Sequence, residues 1–401
     1  MSFETLDALS GDPAYRGFHV PHFEIRIAGR ALPEAAVDDV VQITYKDNIR
    51  EIDSVDITVG NWDETRRRFK YVGSETADDL PGGGHPDPMA TLFEPGTEKV
   101  EVWLGYLGAL RLVTTVTLTT LEVGFTSSGA PTLQVRGLNV LHTLRKKQHS
   151  HAWYGEKPST VAEQLGQLTD GGARRLPLKV HIDDAVRARE EPIPFIAQDN
   201  EYDVDFLLNL ARRFGYEVVV VERTAREPEH LRFAPSKSTA RQADYRLVWG
   251  ETLVDFKPKL TTARQVAKVT VRGWDRRRKA AVSATIDTKD REVQRINPDL
   301  HRLVEQAGGR EEMVVEEPVS SEAEARQRAR AIMLDQMKQM VTAEGGTVGL
   351  PDLRAGSRLD IAGVGARMSG RYFVTETTHA FSDAGYTTRF KARREDDRRQ
   401  A

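Results

Sequence analysis

A chain of 401 residues with 57 basic and 60 acidic side chains carries a net charge of −3 and contains no cysteine. That length accommodates roughly two or three domains, the charge argues against a dedicated nucleic-acid binder, and the lack of thiols excludes disulfides and thiolate metal sites. The N-terminal stretch MSFETLDALSGDPAY is polar and acidic, unlike a signal peptide, and no apolar run approaches a membrane span. The expectation is a protein made and folded in the cytoplasm, with no direct membrane insertion and no nucleic-acid partner. The basic clusters Arg66–Arg68, Arg145–Lys147 and Arg276–Lys279 read as solvated turns.

Residues 1–20 have no clear period and read as an arm. From His22 the chain alternates, with Phe23, Ile25 and Ile27 on one strand face and Ala28-Gly29-Arg30 as a turn. Strands follow at Val40–Tyr45 and Ile52–Val59. PGGGHPDP at 81–88 reads as an exposed loop. Lys99–Tyr106, Leu112–Phe125 and Thr132–Gly137 are three more strands, the last two joined by a turn at SSGAP, 127–131. Six strands with tight turns and little helix predict an antiparallel barrel or sandwich.

Between 140 and 255 the pattern becomes mixed. Thr160 and Glu163 form a capping-box pattern ahead of a helix over 160–169. The most informative stretch is NEYDVDFLLNLARRFGYEVVVVE, 200–222. Asn200 is the expected cap, with Asp203 favouring the free N–H groups of the first turn. Val204, Leu207, Leu208 and Ala211 form an apolar stripe, Gly215 ends the helix, and Tyr216–Val221 is a strand. Alternation returns after Phe256. Val266–Trp274 and Val282–Ile286 pair around the charged turn DRRRKA. Ser321 and Glu324 cap a helix running to about Val341, with Ala325, Ala329, Ile332 and Met333 on its apolar side. Strands at Arg358–Val364, Tyr372–Phe381 and Thr387–Ala392 precede a solvated tail, REDDRRQA.

The two β halves repeat one order. QITYKDNIREIDSVDITV (42–59) resembles VAKVTVRGWDRRRKAAVSATI (266–286), and KVEVWLGY (99–106) matches SRLDIAGV (357–364). The Thr-rich LVTTVTLTTLEVGF (112–125) matches GRYFVTETTHAF (370–381), and PTLQVRG (131–137) matches YTTRFKAR (386–393). Four coincidences in one order indicate two copies of one small barrel; two unrelated β domains remain the alternative.

Catalytic patterns are sparse. HExxH, GxSxG and a P-loop do not occur. GVGARMSG at 363–370 misplaces its third glycine for a dinucleotide loop and lies between strands. Asp203 and Asp205, two apart on a helix, point to opposite sides and cannot act as a glycosidase pair. His142, His149 and His151 lack acidic or thiolate ligands at metal-binding spacing, and His379 reads as a hydrogen-bonded structural histidine. Trp62, Trp103, Trp153, Trp249 and Trp274 read as core or interface anchors. No catalytic, cofactor-binding or metal residue is assigned, and no cofactor is expected. In the strand 112–125, Val113, Val116 and Leu118 are the packing candidates. Thr114, Thr115, Thr117, Thr119 and Thr120, like Thr375, Thr377 and Thr378 in the second half, would suit the wall of a conduit; threonine also simply favours strands.

NEYDVDFLLNLARRFGYEVVVV, VEVWLGYLGALRL, TTLEVGFTSSGAPTLQVRGLNVLHTL, VTVRGWDRRRKAA, GLPDLRAGSRLDIAGVGARMSGRYFVTETTHAF and YTTRFKARR each resemble segments of the phage late control protein D family. These are tail hubs that also form the N-terminal part of VgrG spike proteins. The ordered set runs from about Val20 to Arg394. The resemblance implies a mainly β chain: a first tube-type antiparallel β-barrel at 1–139, a mixed α/β domain at 140–255, and a second barrel at 256–401 with a helical insertion at about 287–348. It also implies a homotrimeric baseplate hub of a contractile phage tail or injection particle, and no enzyme. Its partners would be an inner tube or tube-initiator protein on one face, a spike on the other, and other baseplate subunits. Ending at 401, the chain has no room for the neck and needle of fused spikes, so the spike is expected to be a separate polypeptide. Such a particle assembles in the bacterial cytoplasm. The alternatives are a cell-wall-degrading or effector-bearing component, which needs a carboxylate pair or metal cleft, and a carbohydrate-binding tail protein, which needs exposed loop aromatics.

Overall fold

The computed structural model describes residues 20–395 apart from 73–88, 97, 126, 128, 225–226, 237–243, 264, 276–277, 299–300, 307–309 and 316–318. Nearly all of the expected arm, the PGGGHPDP loop and most of the tail therefore lie outside the described residues, as do parts of the SSGAP and DRRRKA turns.

The first half contains β1 (Pro21–Ile27), β2 (Val40–Asn48), β3 (Ser54–Gly60), β4 (Lys99–Tyr106), β5 (Ala109–Gly124) and β6 (Thr132–Asn139). Its spatial order is β2-β3-β6-β5-β4-β1, antiparallel throughout. The period of two sorts the faces: Val55, Ile57 and Val59 of β3 are fully buried and their neighbours are not.

The mixed portion begins with β7 (Gln148–Trp153), α1 (Pro158–Leu165), β8 (Lys179–His181) and β9 (Ile196–Tyr202). It continues through α2 (Asp203–Phe214), β10 (Glu217–Val221) and β11 (His230–Ala234). β7 pairs with β9, and β8-β11-β10 form a small mixed sheet. The two helices and the small sheet share a separate core, in which Trp153 stacks on Phe206 at 5.2 Å. α1 starts on Pro158 without a side-chain cap, so the Thr160–Glu163 box is not used and the helix ends sooner than its pattern predicts.

In α2, Val204, Leu207 and Ala211 of the apolar stripe are buried as expected, Leu208 is not, and Gly215 ends the helix at φ 71. Only a residue free of Cβ strain reaches that conformation cheaply. Its start corrects the sequence expectation. Tyr202 is the N-cap and makes no side-chain cap bond, while Asn200, at φ 51, belongs to β9. Leu207 is fully buried, whereas Leu208 is half-buried and lines a cleft of about 710 Å3 between α2 and the later long helix.

The second half contains β12 (Asp244–Val248), β13 (Leu253–Leu260), β14 (Lys268–Asp275), β15 (Ala280–Asp287), β16 (Glu311–Val314) and α3 (Glu322–Lys338). β17 (Val341–Val348), β18 (Arg358–Ala362), β19 (Gly370–Ser382) and β20 (Gly385–Arg394) follow. Ser321 caps α3 by accepting from the Glu324 amide at 3.2 Å, as its sequence predicts, although the helix stops at Lys338. The order β13-β17-β20-β19-β18 repeats β2-β3-β6-β5-β4, and only the outermost strand differs: β12 runs parallel to β18, whereas β1 is antiparallel to β4.

The duplication is thus real in topology, but one match is corrected. The partner of the β2–β3 hairpin is β13 with β17, not 266–286. That segment forms β14 and β15, which with β16 make a separate sheet packed under α3. The insertion accordingly occupies the whole interval between β13 and β17, 261–340, rather than 287–348. The two halves are also hydrogen-bonded to each other: Glu376–Ser382 of β19 pairs with Gln42–Asn48 of β2, so one 13-stranded sheet runs through both. The architecture is mainly β and antiparallel with α+β additions, as expected. Among the described residues no helix is long and apolar enough to cross a membrane.

Candidate assembly interface

The repeat extends to irregularities that a chance likeness of hairpins would not share. The β5–β6 ladder slips between Leu118 and Thr120, and the β19–β20 ladder between Val374 and Glu376. At each bulge the extra residue is a threonine whose Oγ1 donates across the ladder, Thr119 to Arg136 O at 3.3 Å and Thr375 to Lys391 O at 3.1 Å. Beside each, a glycine amide closes on the preceding carbonyl: Gly96 on Leu118 and Gly356 on Val374. A second matched slip leaves Val41 unpaired in β2 and Val254 in β13, and both valines are exposed. Volume is exchanged rather than lost. Ile57 faces Val135 in one half, while in the other Gly345 faces Phe390, whose ring lies where a Cβ would stand.

The joint between the halves is built from these repeated parts. Phe381 of β19 lies opposite Ile43, and its ring meets Phe23 edge-on at 5.0 Å. His379, opposite Tyr45, is fully buried and is the structural histidine expected; its nitrogens face Tyr386 Oη, Thr388 Oγ1 and Leu353 O.

Behind the joint lies a buried ion cluster. Arg354 of the second half donates to Asp47 of β2 at 2.6 Å, to Tyr45 Oη, and to Glu222 of the mixed portion at 3.2 Å. One guanidinium therefore ties together all three parts of the chain. Asp53, hydrogen-bonded by the Asn48 amide and by Asn139, sits beside it. Burial, then the charges of Asp47 and Glu222, push the Asp53 carboxyl well above the usual carboxylate range despite Arg354.

A second cluster fastens β20 to β10 and α3. Arg393 donates to Glu217 and to Glu395, and Ser236, itself hydrogen-bonded by Lys338, donates to Glu395 at 2.7 Å. Burial alone would raise Glu395, but the charges of Lys338 and Arg393 with these hydrogen bonds hold it down to about 2. A depressed carboxylate stabilises the fold above its unfolded value of 4.5 and loses that contribution as pH falls towards 2. The expected effect is a loss of the order of 3 kcal/mol between about pH 5 and pH 2. It is measurable by denaturant titration, with Glu395→Gln flattening that part of the profile.

The residues singled out in the sequence fall as follows. Asp203 is buried and receives Arg175 and Gln198, whereas Asp205 faces the exposed side and pairs with Arg145. Asp203 is therefore part of a buried pair rather than a dipole charge. Asp203→Ala should cost about 2–3 kcal/mol, the range for a hydrogen bond to a charged group, where a capping role alone would give about 1 kcal/mol. The midpoint of urea unfolding decides between them.

His149 lies 3.3 Å from Asp203 and 3.6 Å from Asp170, His151 packs on Trp153, and His142 stands on a short 3-10 turn. Among the described residues no group of three His, Asp or Glu side chains is arranged to hold a metal ion. Trp153 is a core anchor, while Trp249 and Trp274 are about half exposed. Val113, Val116 and Leu118 are buried as expected. Thr114 and Thr377 are buried too, which removes both from any conduit wall, and Thr115, Thr117, Thr119, Thr120, Thr375 and Thr378 are not.

The ion clusters were missed in the sequence. One signal was present: Ile43, Tyr45 and Asp47 share a period of two, which puts Asp47 on the core face.

Comparison with known families finds one model, described as Alg8 N-terminal domain, that matches residues 18–383. A comparison with curated proteins finds no match. Among solved structures, the 43 kDa tail protein of prophage MuSo2 from Shewanella oneidensis has a TM-score of 0.62 at 14% identity, over 93% of this chain and 98% of that one. A tail protein from Neisseria meningitidis has a TM-score of 0.63 at 13% identity, over 94% and 97%. An Escherichia coli type VI secretion component, itself described as similar to the T4 tail proteins gp27 and gp5, has a TM-score of 0.54 at 11% identity, over 93% and 77%. At such identities the likeness speaks for the fold, which is that of phage tail hub-like proteins. The chain belongs to the Alg8 N-terminal domain family.

Proposed function

We propose that this chain is a structural baseplate hub of a contractile, phage-tail-like injection particle. As a homotrimer it joins a six-fold inner tube, or its initiator protein, on one face to a three-fold spike on the other, within a ring of further baseplate subunits. The observation that supports this most is the pair of matched strand units in each chain, joined side by side in one sheet. Three such chains offer six similar units around one axis, so a six-fold and a three-fold partner can be met by one ring. In this proposal the chain is not an enzyme, binds no cofactor, and is assembled into its particle in the bacterial cytoplasm.

Deletion of the gene should leave particles without tube and spike joined at the baseplate, restored by the intact gene in trans. Complete particles in the deletion strain would overturn the proposal. Peptidoglycan turnover abolished by one point mutation would favour the cell-wall-degrading rival. The exposed aromatic pair Tyr154 and Phe195, 5.4 Å apart, favours a second reading, a carbohydrate-binding tail component. Glycan binding lost in Tyr154→Ala would support it.

A further inference from the structure

The joint inside the chain also describes a joint that the chain cannot complete alone. β19 is long enough to serve two neighbours along one edge. Its first residues pair with β18, and beyond the Thr375 bulge the same edge receives β2. β5 has the same construction up to its bulge. Its early residues pair with β4, and Gly96 closes on Leu118, but beyond Thr119 no described strand pairs with that edge. β13, the counterpart of β2, pairs with β17 on one side and with no described strand on the other. Among the described residues, the chain thus presents without a paired strand the equivalents of both partners of its own internal joint.

We propose that the edge of β5 at 120–124, with Phe125 just beyond it, receives β13 of a second copy of this chain, in the register that β19 uses for β2. This inference rests on the trimeric reading above. Setting Thr119 on Thr375 and Val254 on Val41 fixes that register. Glu122 then stands opposite Lys259, as Thr378 stands opposite Lys46, and Phe125 stands opposite Phe256, as Phe381 stands opposite Ile43. Leu121 meets Leu260, and Val123 meets Pro258. The chemistry matches on both faces: an acid meets a base, and Phe125, 70% exposed although Phe69 meets its ring edge-on at 5.9 Å, gains Phe256 as a second aromatic neighbour.

Lys257, Pro258 and Lys259 are residue types that protect an edge strand from indiscriminate pairing. In this register Lys257 meets Gly124 and Lys259 meets Glu122, so the two lysines that discourage a wrong edge accept this one, while Pro258, opposite Val123, donates no N–H to the ladder. Repeating the contact three times closes a ring in which the joint within a chain and the joint between chains alternate.

The absence of cysteine makes a cross-linking test clean. Glu122 and Lys259 are exposed, so Glu122→Cys with Lys259→Cys leaves the core untouched. Residues directly opposite in a ladder lie within disulfide reach. Assembled particles carrying this pair, treated with an oxidant, should yield covalent species of two and three chains. Neither single variant should do so, and Glu122→Cys with Lys257→Cys, two residues out of register, should give little. Independently, Glu122→Lys and Lys259→Glu should each cut incorporation into particles severalfold, and the two together should restore it.

Particles that hold three copies but show no cross-link for the matched pair, because another segment covers either edge, would overturn this inference and leave the hub proposal standing. Stronger cross-linking by the out-of-register pair would do the same. Particles with one copy, or six, would overturn the hub proposal and this inference with it.

Discussion

Replacing Arg354 with alanine should destabilise the chain by about 3–5 kcal/mol, the cost of breaking a buried ion pair by removing one partner. Arg354 is 3% exposed, and its replacement takes the guanidinium away from Asp47, 3% exposed, and from Glu222, 6% exposed. The Asp47 carboxylate would keep the Ala355 amide at 3.0 Å but lose the guanidinium that meets it. Arg354→Lys should recover only part of the loss, because an ammonium cannot reproduce the fork that reaches Asp47, Tyr45 and Glu222 together. Removing the charges together, as Arg354→Met with Asp47→Asn and Glu222→Gln, should return more stability than the lysine does. Urea unfolding of the four proteins tests the series. A change under about 1 kcal/mol for Arg354→Ala would place that cluster among the weak surface pairs and contradict its role at the joint.

Leu207→Asp should be as damaging, for a different reason. Leu207 has no exposed surface and packs in the core that α2 shares with the small sheet and α1. A carboxylate there has no partner, and burying it costs several kcal/mol even if it takes up a proton. The neighbouring Leu208→Asp should cost much less, since that side chain is half-buried beside the cleft and can turn its charge to water. Thermal melts of the two variants separate the faces. Equal losses would mean that the cleft is closed in solution, and normal behaviour of Leu207→Asp would mean that the helix face is misplaced.

Local patterns carried the sequence reading where contacts are local. The apolar stripe of α2, the Gly215 terminus, the Ser321 cap and the alternation of β3 all depend on neighbours within a few residues. Pairing at long range did not show. β13 waits 80 residues, 261–340, for β17, and within that interval lies a hairpin whose strand–charged turn–strand pattern looks more like 42–59 than the true counterpart does. The sequence order of hairpins cannot reveal which strand lies beside which when an insertion separates the partners.

The cap of α2 failed for a related reason. Asp203 has the composition of a helix-start acid, yet its carboxylate is taken by Arg175, 28 residues earlier in the chain. The charges buried behind the joint were least legible. Arg354 sits between Gly349 and Gly356 in a segment whose local sequence gives no sign of burial, and the contact between halves encloses it. The bulge threonines were legible as a habit of composition, but their use as ladder closers at Thr119 and Thr375 depends on register.

The central claim is that three copies, each with two matched units, form the hub. A reconstruction of the assembled particle, made without imposed symmetry at the junction of tube and spike, tests it most directly. The account predicts three copies of this chain there, presenting six strand units in one ring, with alternate joints formed by β2 on β19 within a chain and β13 on β5 between chains. Six copies, a single copy, or units that do not meet edge to edge would contradict it.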